Sequence, residues 1–435
     1  MTDLKNMYQL VKKMFPIHRS ITGDGNRETL KHIKKIIPIK IKEVPTGTKA
    51  FDWKIPLEWK ITKAYIKDSK GNTIIDIKNN NLHILSYSRP FKGKIKFKEL
   101  NKHLYYLKDF PNWIPYRTSY YKDTWGFCLT YNQYKNLNRN ETYDVCVDAN
   151  LFKGSLTYGE LIIKGKSKKE LLFSTYICHP SMCNDNLSGP VVATYLAKYI
   201  LKNMNNFYTY RFVFIPESIG SIAYLKKNLK QMKKNTIGGY VLVCLGDAGD
   251  FTYLQTRKEK QITDKVSIFA LKETKVNYKL RKFHTCGSDE RQYNFPGVDL
   301  NIGSLMRTKY FEYDEYHTSA DNLKFISQNN LEKSYKMYLN CINIFENNHK
   351  YYNKTLCEPR LGIHGIWNQI GASKSKEDIN MIFRKILYYC DGKNDIIDIC
   401  KILDKPFEKI NNAIKLMLKK KIILKNLKII SKGTQ

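Results

Sequence analysis

The sequence lacks features that mark several protein classes. None of its ten cysteines belongs to a CxxC pair, which disfavours a zinc ribbon, a thioredoxin-type motif and a small disulfide-stabilised secreted domain. No stretch approaches about 18 consecutive apolar residues, so we predict no membrane-spanning helix. The N-terminal segment has no apolar signal-peptide core. We therefore expect a cytoplasmic protein without a membrane partner.

Arginine is scarce although the chain is strongly basic. Lys and Arg outnumber Asp and Glu by 74 to 40, a formal net charge of +34, yet only 12 of these cations are Arg. A basic chain suggests a polyanionic partner, but specific readout of nucleic acid usually relies on Arg. The chain is equally rich in Ile, Asn and Tyr, which indicates compositional bias. A nucleic-acid partner is therefore disfavoured and left open.

The apolar content of the chain is sufficient for a large core. Of 435 residues, 42% are hydrophobic and 13% aromatic, which suits two or three domains. From about Asp144 to Asn348, buried strands alternate with helices, and this pattern predicts an α/β domain with a mostly parallel sheet. The predicted strands are 171–178, 210–215, 240–245, 266–271 and 298–303, and the predicted helices are 188–202, 221–229 and 331–348.

Two further regions have a different pattern of hydrophobic residues. Residues 38–104 contain short alternating runs separated by turns, which predict a small antiparallel β module inserted into the core. The core domain would then comprise residues 1–37 and 105–350. Residues 360–435 resemble a winged helix, with short helices followed by an alternating tail. An apolar stripe on its long helix makes a homodimer a further expectation (Ile410, Ile414 and Met417).

Acidic and imidazole side chains follow the predicted core strands. His179, Glu217 and Asp247 come directly after three of these strands, Asp185 precedes the first long core helix, and His317 lies in EYDEYHTSADN. Residues beyond the carboxyl ends of parallel strands meet in one crevice. Two imidazoles and three carboxylates suit one or two Zn²⁺ ions with positions left for water and substrate. Such a centre favours amide hydrolysis.

The motifs around these residues resemble a known family. CHPSMCNDNLSGPVVATYLAKYI, FIPESIGSIAYL and YHTSADN are similar to the ligand motifs of zinc aminopeptidases of the M28 type. PIHRSITGDGNRETL, IPYRTSYYKDTWGFC and GSDERQYNFPGVDLNIGSLMRT resemble a bacterial aminopeptidase-like group associated with polysaccharide biosynthesis. The resemblance spans nearly the whole chain. It implies an M28-like phosphorylase/hydrolase-type core with an inserted β module and a C-terminal winged helix.

The resemblance also implies roles for the five candidate ligands. Asp185 matches the carboxylate that bridges two metal ions in M28 enzymes. His179 and Asp247 match the further pair of ligands on one ion, and Glu217 and His317 match the pair on the other.

The sequence departs from the M28 pattern at one position. The family has two adjacent glutamates, a general base followed by a metal ligand, whereas this chain has Pro216 before Glu217. Either Glu217 is the base and one metal ion lacks a ligand, or Glu217 is a ligand and the base lies elsewhere. Asp289 and Glu290 in GSDERQY are candidate substitutes, with a solvated charged turn as the alternative interpretation.

Candidate substrate-binding residues come from two segments. Arg291 and Arg117 could each bind a carboxylate or an anionic sugar through two hydrogen bonds. Tyr121, with Tyr120 and Trp125, could stack on a sugar face, although each aromatic ring is also suited to simple packing.

Two functions compete at this point. The first is a zinc-dependent hydrolase of the aminopeptidase type that cleaves an amide or peptide bond in a small, modified or glycan-related substrate. The second is a non-catalytic protein that senses a ligand, or that binds DNA or protein through the winged helix. The missing first glutamate leaves open whether the core is active.

Overall fold

The structure is a computed structural model and describes residues 2–203, 205–283, 287–366 and 379–425. The helices are α1 (Thr2–Met14), α2 (Asp24–Lys34), α3 (Phe97–Leu100), α4 (Tyr131–Lys135), α5 (Ser188–Asn203), α6 (Ile219–Asn235), α7 (Ile262–Glu273), α8 (Glu290–Tyr293), α9 (Gln328–Asn347), α10 (Ile379–Tyr389), α11 (Ile396–Leu403) and α12 (Phe407–Lys419). Short 3-10 helices cover Asn81–His83, Asn101–His103 and Leu361–His364.

The strands are β1 (Lys40–Pro45), β2 (Lys49–Ala50), β3 (Trp53–Lys54), β4 (Glu58–Lys67), β5 (Thr73–Asp76), β6 (Phe91–Lys96), β7 (Leu104–Tyr105), β8 (Phe127–Cys128), β9 (Thr142–Phe152), β10 (Ser155–Ile163), β11 (Glu170–Tyr176), β12 (Thr209–Ile215), β13 (Thr236–Val241), β14 (Phe251–Leu254), β15 (Tyr278–Arg281), β16 (Ile302–Met306), β17 (Lys350–Asn353), β18 (Asp391–Asp395) and β19 (Ile423–Leu424). The chain forms two compact units, residues 1–265 with 276–338 and residues 266–275 with 339–435.

A large mixed sheet forms the centre of the first unit. Within the described residues its strand order is β1-β10-β12-β11-β13-β16-β14-β15. The four central strands, β12, β11, β13 and β16, run parallel to one another. Every residue of β11 and β12 is buried, as expected for parallel strands covered on both faces. The predicted α/β fold class is confirmed.

The antiparallel module differs from the predicted range 38–104 at both ends. Its sheet has the order β5-β4-β9-β6, and β9 lies after that range. In contrast, β1 lies within the range but pairs with β10 in the large sheet. Alternating hydrophobicity identifies a strand without identifying its neighbour, which explains both differences. The hairpin of β2 and β3 belongs to neither sheet.

The prediction of a strand at 266–271 is wrong, because these residues lie within helix α7. A short apolar run does not distinguish a buried strand from a buried helix. The first turn of α7 is fixed by Asp264, whose carboxylate accepts hydrogen bonds from the backbone N–H groups of Thr256 and Gln261. This contact lies outside the apolar run, so hydrophobic pattern alone does not reveal it.

The second unit contains the predicted winged helix. Helices α10, α11 and α12 accompany a three-stranded sheet of order β18-β17-β19 among the described residues. Residues 367–378 and 426–435 of the predicted range lie outside the described residues. Ile410, Ile414 and Met417 are fully buried in this unit. Their stripe therefore forms the core of the winged helix and offers no surface to a second copy.

The helices of the described segments contain no candidate for a bilayer crossing, since none is both long and apolar enough.

A buried ion-pair network ties three strands of the large sheet together. Arg211 of β12 is 1% exposed. Its guanidinium donates to both carboxylate oxygens of Glu170 on β11, at 3.1 and 2.9 Å, and to Glu160 on β10 at 3.2 Å. It also donates to the hydroxyl of Tyr224 on α6 at 2.7 Å. A buried charge of this kind is tolerated because its partners are buried with it.

Substitution of Arg211 by Met should lower the free energy of unfolding by about 3–5 kcal/mol, because the buried Glu170 carboxylate would lose its counter-charge and Glu160 would keep only Lys42. Arg281→Met is the matched control. Arg281 also donates twice to one carboxylate, that of Glu312, but on the protein surface, so its loss should cost less than about 1 kcal/mol. Urea unfolding followed by circular dichroism measures both values. Equal losses in the two variants would contradict this account.

Candidate metal centre

The loop between β11 and α5 is held by one buried carboxylate. Asp321 accepts hydrogen bonds from three consecutive backbone N–H groups, those of Cys183 at 3.1 Å, Asn184 at 2.6 Å and Asp185 at 2.8 Å. The loop then enters α5 at Ser188, and a Cβ atom at Gly189 would lie 2.2 Å from the carbonyl oxygen of Leu242. Glycine at this position therefore lets the helix start pack against the sheet.

Three side chains converge at the end of this loop. One potential ligand atom from each of His179, Asp185 and His317 lies within 4.8 Å of the others. Oδ2 of Asp185 lies 3.0 Å from Nε2 of His317 and 4.0 Å from Nε2 of His179. His179 and Asp185 are buried, and His317 is partly exposed. His317 has a left-handed backbone conformation with φ 55°.

The donor atoms of this cluster fit a zinc ion. Oδ2 of Asp185 and Nε2 of His317 are both buried, and neither has a hydrogen-bond partner in the described part of the chain, although they face each other closely. Two atoms that each lie about 2.0–2.2 Å from a tetrahedral zinc are roughly 3.3–3.6 Å apart. The observed 3.0 and 4.0 Å bracket this value. Burial also lowers the pKa of His179 to about 4, which keeps its imidazole neutral and able to bind a cation.

The two oxygens of Asp185 have different surroundings. Oδ1 accepts a hydrogen bond from the hydroxyl of Tyr176, whereas Oδ2 faces the two imidazoles. Burial by itself would raise the pKa of this carboxyl, but the adjacent His179 and His317 lower it. The carboxylate therefore remains ionised and directs one oxygen into the cluster.

Asp247 lies outside this cluster. Its carboxylate accepts hydrogen bonds from the hydroxyl of Thr308 at 2.6 Å, the backbone N–H of Gly249 at 2.8 Å and the side-chain amide of Asn184 at 3.0 Å. Three of the five expected ligands are thus brought together, while the Asp247 carboxylate is occupied by the surrounding protein.

Glu217 borders the cluster and faces the cavity described below. Its Oε2 lies 3.8 Å from Nε2 of His179, and its Oε1 accepts a hydrogen bond from the hydroxyl of Ser288 at 2.8 Å. Its backbone N–H donates to Sγ of Cys178. Burial, followed by repulsion from Asp289, raises the pKa of the Glu217 carboxyl well above its usual range. The backbone and the carboxylate of Glu217 are therefore each held by a hydrogen bond beside the candidate ligands.

Asp289 and Glu290 lie behind Glu217 and do not line the cavity. Oδ1 of Asp289 accepts from the backbone N–H of Ser218 at 2.7 Å and from the hydroxyl of Ser221 at 2.9 Å. Burial raises the pKa of Asp289 to about 7. Glu290 accepts from the hydroxyl of Tyr310 at 2.6 Å. Asp289 thus supports the segment that carries Glu217, whereas Glu290 accepts from Tyr310 and from the backbone N–H of Ser288.

The predicted substrate-binding arginines, Arg117 and Arg291, do not line the cavity. Arg291 donates to the carbonyl oxygen of Ser288 and to the hydroxyl of Ser218, both at 3.2 Å. Arg117 is exposed and does not line the cavity. Tyr121 does line it and is largely exposed at its rim, where its ring contacts Trp53 with 5.8 Å between the centroids.

The cavity above the cluster has a volume of about 340 Å³, within the range of small-molecule sites. Its lining residues are Ile21, Trp53, Tyr116, Thr118, Tyr120, Tyr121, Cys178, His179, Glu217, Ser218, Ile219 and His317.

Several supporting residues were not predicted as part of the site. Asp321 lies four positions after His317 in HTSADN, and Ser288 opens the SDER segment. Arg19 is buried and donates to the carbonyl oxygen of His179 at 2.9 Å. Each of them lies in a motif that was noted in the sequence. Their hydrogen bonds join segments far apart in the chain, and no local pattern reveals such pairs.

The fold and the cluster define a class of protein. A zinc aminopeptidase from Bacillus subtilis superposes with a TM-score of 0.59 at 14% identity, covering 79% of this chain and 94% of that chain. A peptidase M28 precursor from Shewanella amazonensis gives 0.53 at 11% identity, covering 79% and 97%. The first unit thus has the fold of the M28 aminopeptidases.

The chain belongs to the family described as "Domain of unknown function (DUF4910)", which matches residues 8–348, and residues 349–425 match a winged helix-turn-helix. A Clostridium acetobutylicum protein named for polysaccharide biosynthesis and an aminopeptidase-like domain is 44% identical over 408 residues, covering 94% of this chain and 93% of that protein. A crystal structure from the same organism, of a protein named as a peptidase, gives a TM-score of 0.90 at 42% identity and covers 97% and 96%. The predicted resemblance is confirmed.

Asp321→Asn should weaken zinc binding by roughly 10- to 100-fold, because an amide NH₂ would replace one oxygen that accepts from the ligand loop. Competition with a chromophoric chelator measures the dissociation constant. Asp314→Asn, an exposed position three residues before His317, is the control and should bind zinc as the wild type does. Unchanged affinity in a folded Asp321→Asn protein would rule out the anchoring role.

Proposed function

We propose that the chain is a metal-dependent amide hydrolase of the aminopeptidase type, with one zinc ion held by His179, Asp185 and His317. One observation carries the proposal: these three ligand atoms meet beside Glu217 at a cavity of substrate size. The fold shared with zinc aminopeptidases supports it. The substrate would be a small peptide-like or otherwise modified amide, which leaves room for a glycan-related molecule.

We infer one ion, rather than the two of the M28 pattern, because several of the carboxylate oxygens already accept hydrogen bonds. A bridging carboxylate must offer one oxygen to each ion, but Oδ1 of Asp185 accepts from Tyr176. The second ion would also need Asp247, whose oxygens accept from Thr308, Gly249 and Asn184. Three protein ligands with a position left open are the usual set of a mononuclear catalytic zinc.

The residues around the cluster suit amide hydrolysis. A zinc ion held by these residues would act as a Lewis acid on a carbonyl oxygen and would lower the pKa of a bound water. Glu217 is held by Ser288 with one oxygen toward the cluster. Without a cation, burial and Asp289 raise the pKa of this carboxyl. A zinc ion bound to the cluster would favour the ionised carboxylate, which could then accept a proton from the attacking water and pass it to the leaving amine.

Two tyrosine hydroxyls provide a further contact for the substrate. Tyr116 and Tyr120 line the cavity, and their hydroxyl oxygens lie 2.9 Å apart. Burial raises the pKa of both groups well above the usual range, so the hydroxyls remain protonated. One of the two hydroxyls donates to the other, so one O–H is left to stabilise the negative charge that develops on the carbonyl oxygen during attack.

The role of the winged helix stays a prediction. A contact with nucleic acid or protein would be an additional function of the second unit, and it does not depend on the metal centre.

The wild-type protein should contain about one zinc per chain, and Asp185→Ala should contain none. Elemental mass spectrometry of protein purified without added zinc measures the ratio. Asp247→Asn, if circular dichroism shows it to be folded, should keep the wild-type zinc content. Two zinc ions in the wild type, with one lost in Asp247→Asn, would contradict the one-ion proposal. No zinc even after reconstitution would contradict the hydrolase itself.

Glu217→Gln should keep its zinc and lose about 10²- to 10⁴-fold in kcat, because the amide cannot accept the proton. The assay would screen aminoacyl anilides and acylated aminosugars with the wild type first. Glu99→Gln, at an exposed position, serves as the control with unchanged kcat. Loss of zinc from the Glu217→Gln protein would assign Glu217 to the metal ligands and reject it as the base.

A further inference from the structure

A second cavity lies next to the one above the metal centre. It has a volume of about 450 Å³. The floor comes from α6, and the walls come from the β2–β3 hairpin and the segment after α8. Its lining residues are Phe51, Asp52, Trp53, Ile222, Leu225, Leu229, Gln292, Phe295, Pro296, Gly297 and Val298.

Trp53 connects the two cavities, because its side chain lines both of them. On the side of the metal centre its ring contacts Tyr121. On the other side it stands with Phe51 and Phe295 around the second cavity. A molecule that occupied both cavities would therefore pass Trp53.

The residues that line the second cavity favour an apolar ligand over a sugar. Within the described residues, the polar groups on the side chains that line this cavity are those of Asp52 and Gln292 and the indole N–H of Trp53. A sugar would need many more hydrogen-bond partners to replace its contacts with water. The aromatic rings are open to solvent, with Phe51 52%, Trp53 43% and Phe295 62% exposed. Apolar surface that is grouped in this way at a cavity indicates a binding site for an apolar group.

The residues that line the first cavity restrict which chemical group of the ligand can bind beside the metal centre. Among its lining residues in the described chain, Glu217 is the one with a carboxylate, and the proposed function uses that group for proton transfer. No second carboxylate is available there to pair with the free ammonium of a peptide. This favours an amide whose nitrogen or acyl side carries a neutral substituent.

The hairpin turn supports a binding role for Phe51. This residue has a φ of 55°, in the left-handed region where glycine is favoured over a bulky side chain. The ring stays over the cavity, with Nζ of Lys226 at 5.4 Å from its centroid. Residues in such backbone conformations cluster at ligand-binding and active sites, which agrees with a binding role for this ring.

We propose that the second cavity binds the alkyl chain of an N-acylated substrate whose amide group lies in the first cavity. The assignment of the amide end rests on the proposed hydrolase function. The alkyl end rests on the second cavity alone, so binding of the chain can be measured without turnover.

The test uses two neutral probes, N-decanoylglycinamide and N-acetylglycinamide, titrated calorimetrically into the full chain after removal of metal with a chelator. The wild type should bind the decanoyl probe saturably, with one equivalent per chain and at least about tenfold more tightly than the acetyl probe. Similar affinities for the two probes would overturn the proposal, whether or not the protein hydrolyses amides.

Three variants locate the binding. Phe295→Gln and Phe51→Gly should each weaken binding of the decanoyl probe at least fivefold. Leu280→Gln, which alters a similarly exposed apolar residue on β15 away from both cavities, should bind it as the wild type does. An equal loss in Leu280→Gln would show non-specific adsorption and overturn the proposal.

The melting temperature of Phe51→Gly provides a separate readout. Because glycine relieves the left-handed conformation, the melting temperature should stay the same or rise while binding weakens. A marked fall would assign the ring to folding and overturn the argument from the strained turn. If the probes bind as expected but no acylated amide is cleaved by the zinc-loaded enzyme, the cavity assignment stands and the hydrolase proposal fails.

Discussion

The candidate metal centre depends on one buried carboxylate that accepts three consecutive backbone N–H groups. By holding the residues from Cys183 to Asp185, Asp321 fixes the direction in which the Asp185 side chain leaves the loop. Asp321 also lies four residues after His317. The short segment 317–321 therefore supplies one candidate ligand, His317, and anchors the loop that supplies another, Asp185. The distance between these two ligands is set by local backbone geometry.

Which aspartate can bind a cation depends on which carboxylate oxygens already accept a hydrogen bond. Asp185 and Asp247 are both buried, and either could bind a cation by its chemical nature. The Asp247 oxygens are satisfied by Thr308 and its neighbours, whereas Oδ2 of Asp185 is left without a hydrogen bond. A buried, ionised oxygen without a donor is costly unless a cation compensates it. Ligand type alone does not separate these two aspartates, but their hydrogen bonds do.

The sequence was informative where the fold forces residues together. Side chains after parallel strands must meet at one sheet edge, and His179 and Glu217 were placed correctly at the ends of β11 and β12 by that argument. The sequence was less informative where the role of a side chain or the neighbour of a strand depends on residues distant in the chain. The donor from Thr308 that occupies Asp247 is 61 residues away, and the pairing of β1 with β10 rather than with the antiparallel module depends on the assembled sheet.

The exposed position of the β2–β3 hairpin has a consequence for how related chains can diverge. Trp53 and Phe51 lie at the surface, where a substitution usually changes stability by less than about 0.5 kcal/mol. The loop around Asp185, in contrast, is fully packed, and even a methyl group at Gly189 would collide with the sheet. Exchange of the hairpin's aromatic residues can therefore alter the second cavity, while the residues of the candidate metal centre stay the same.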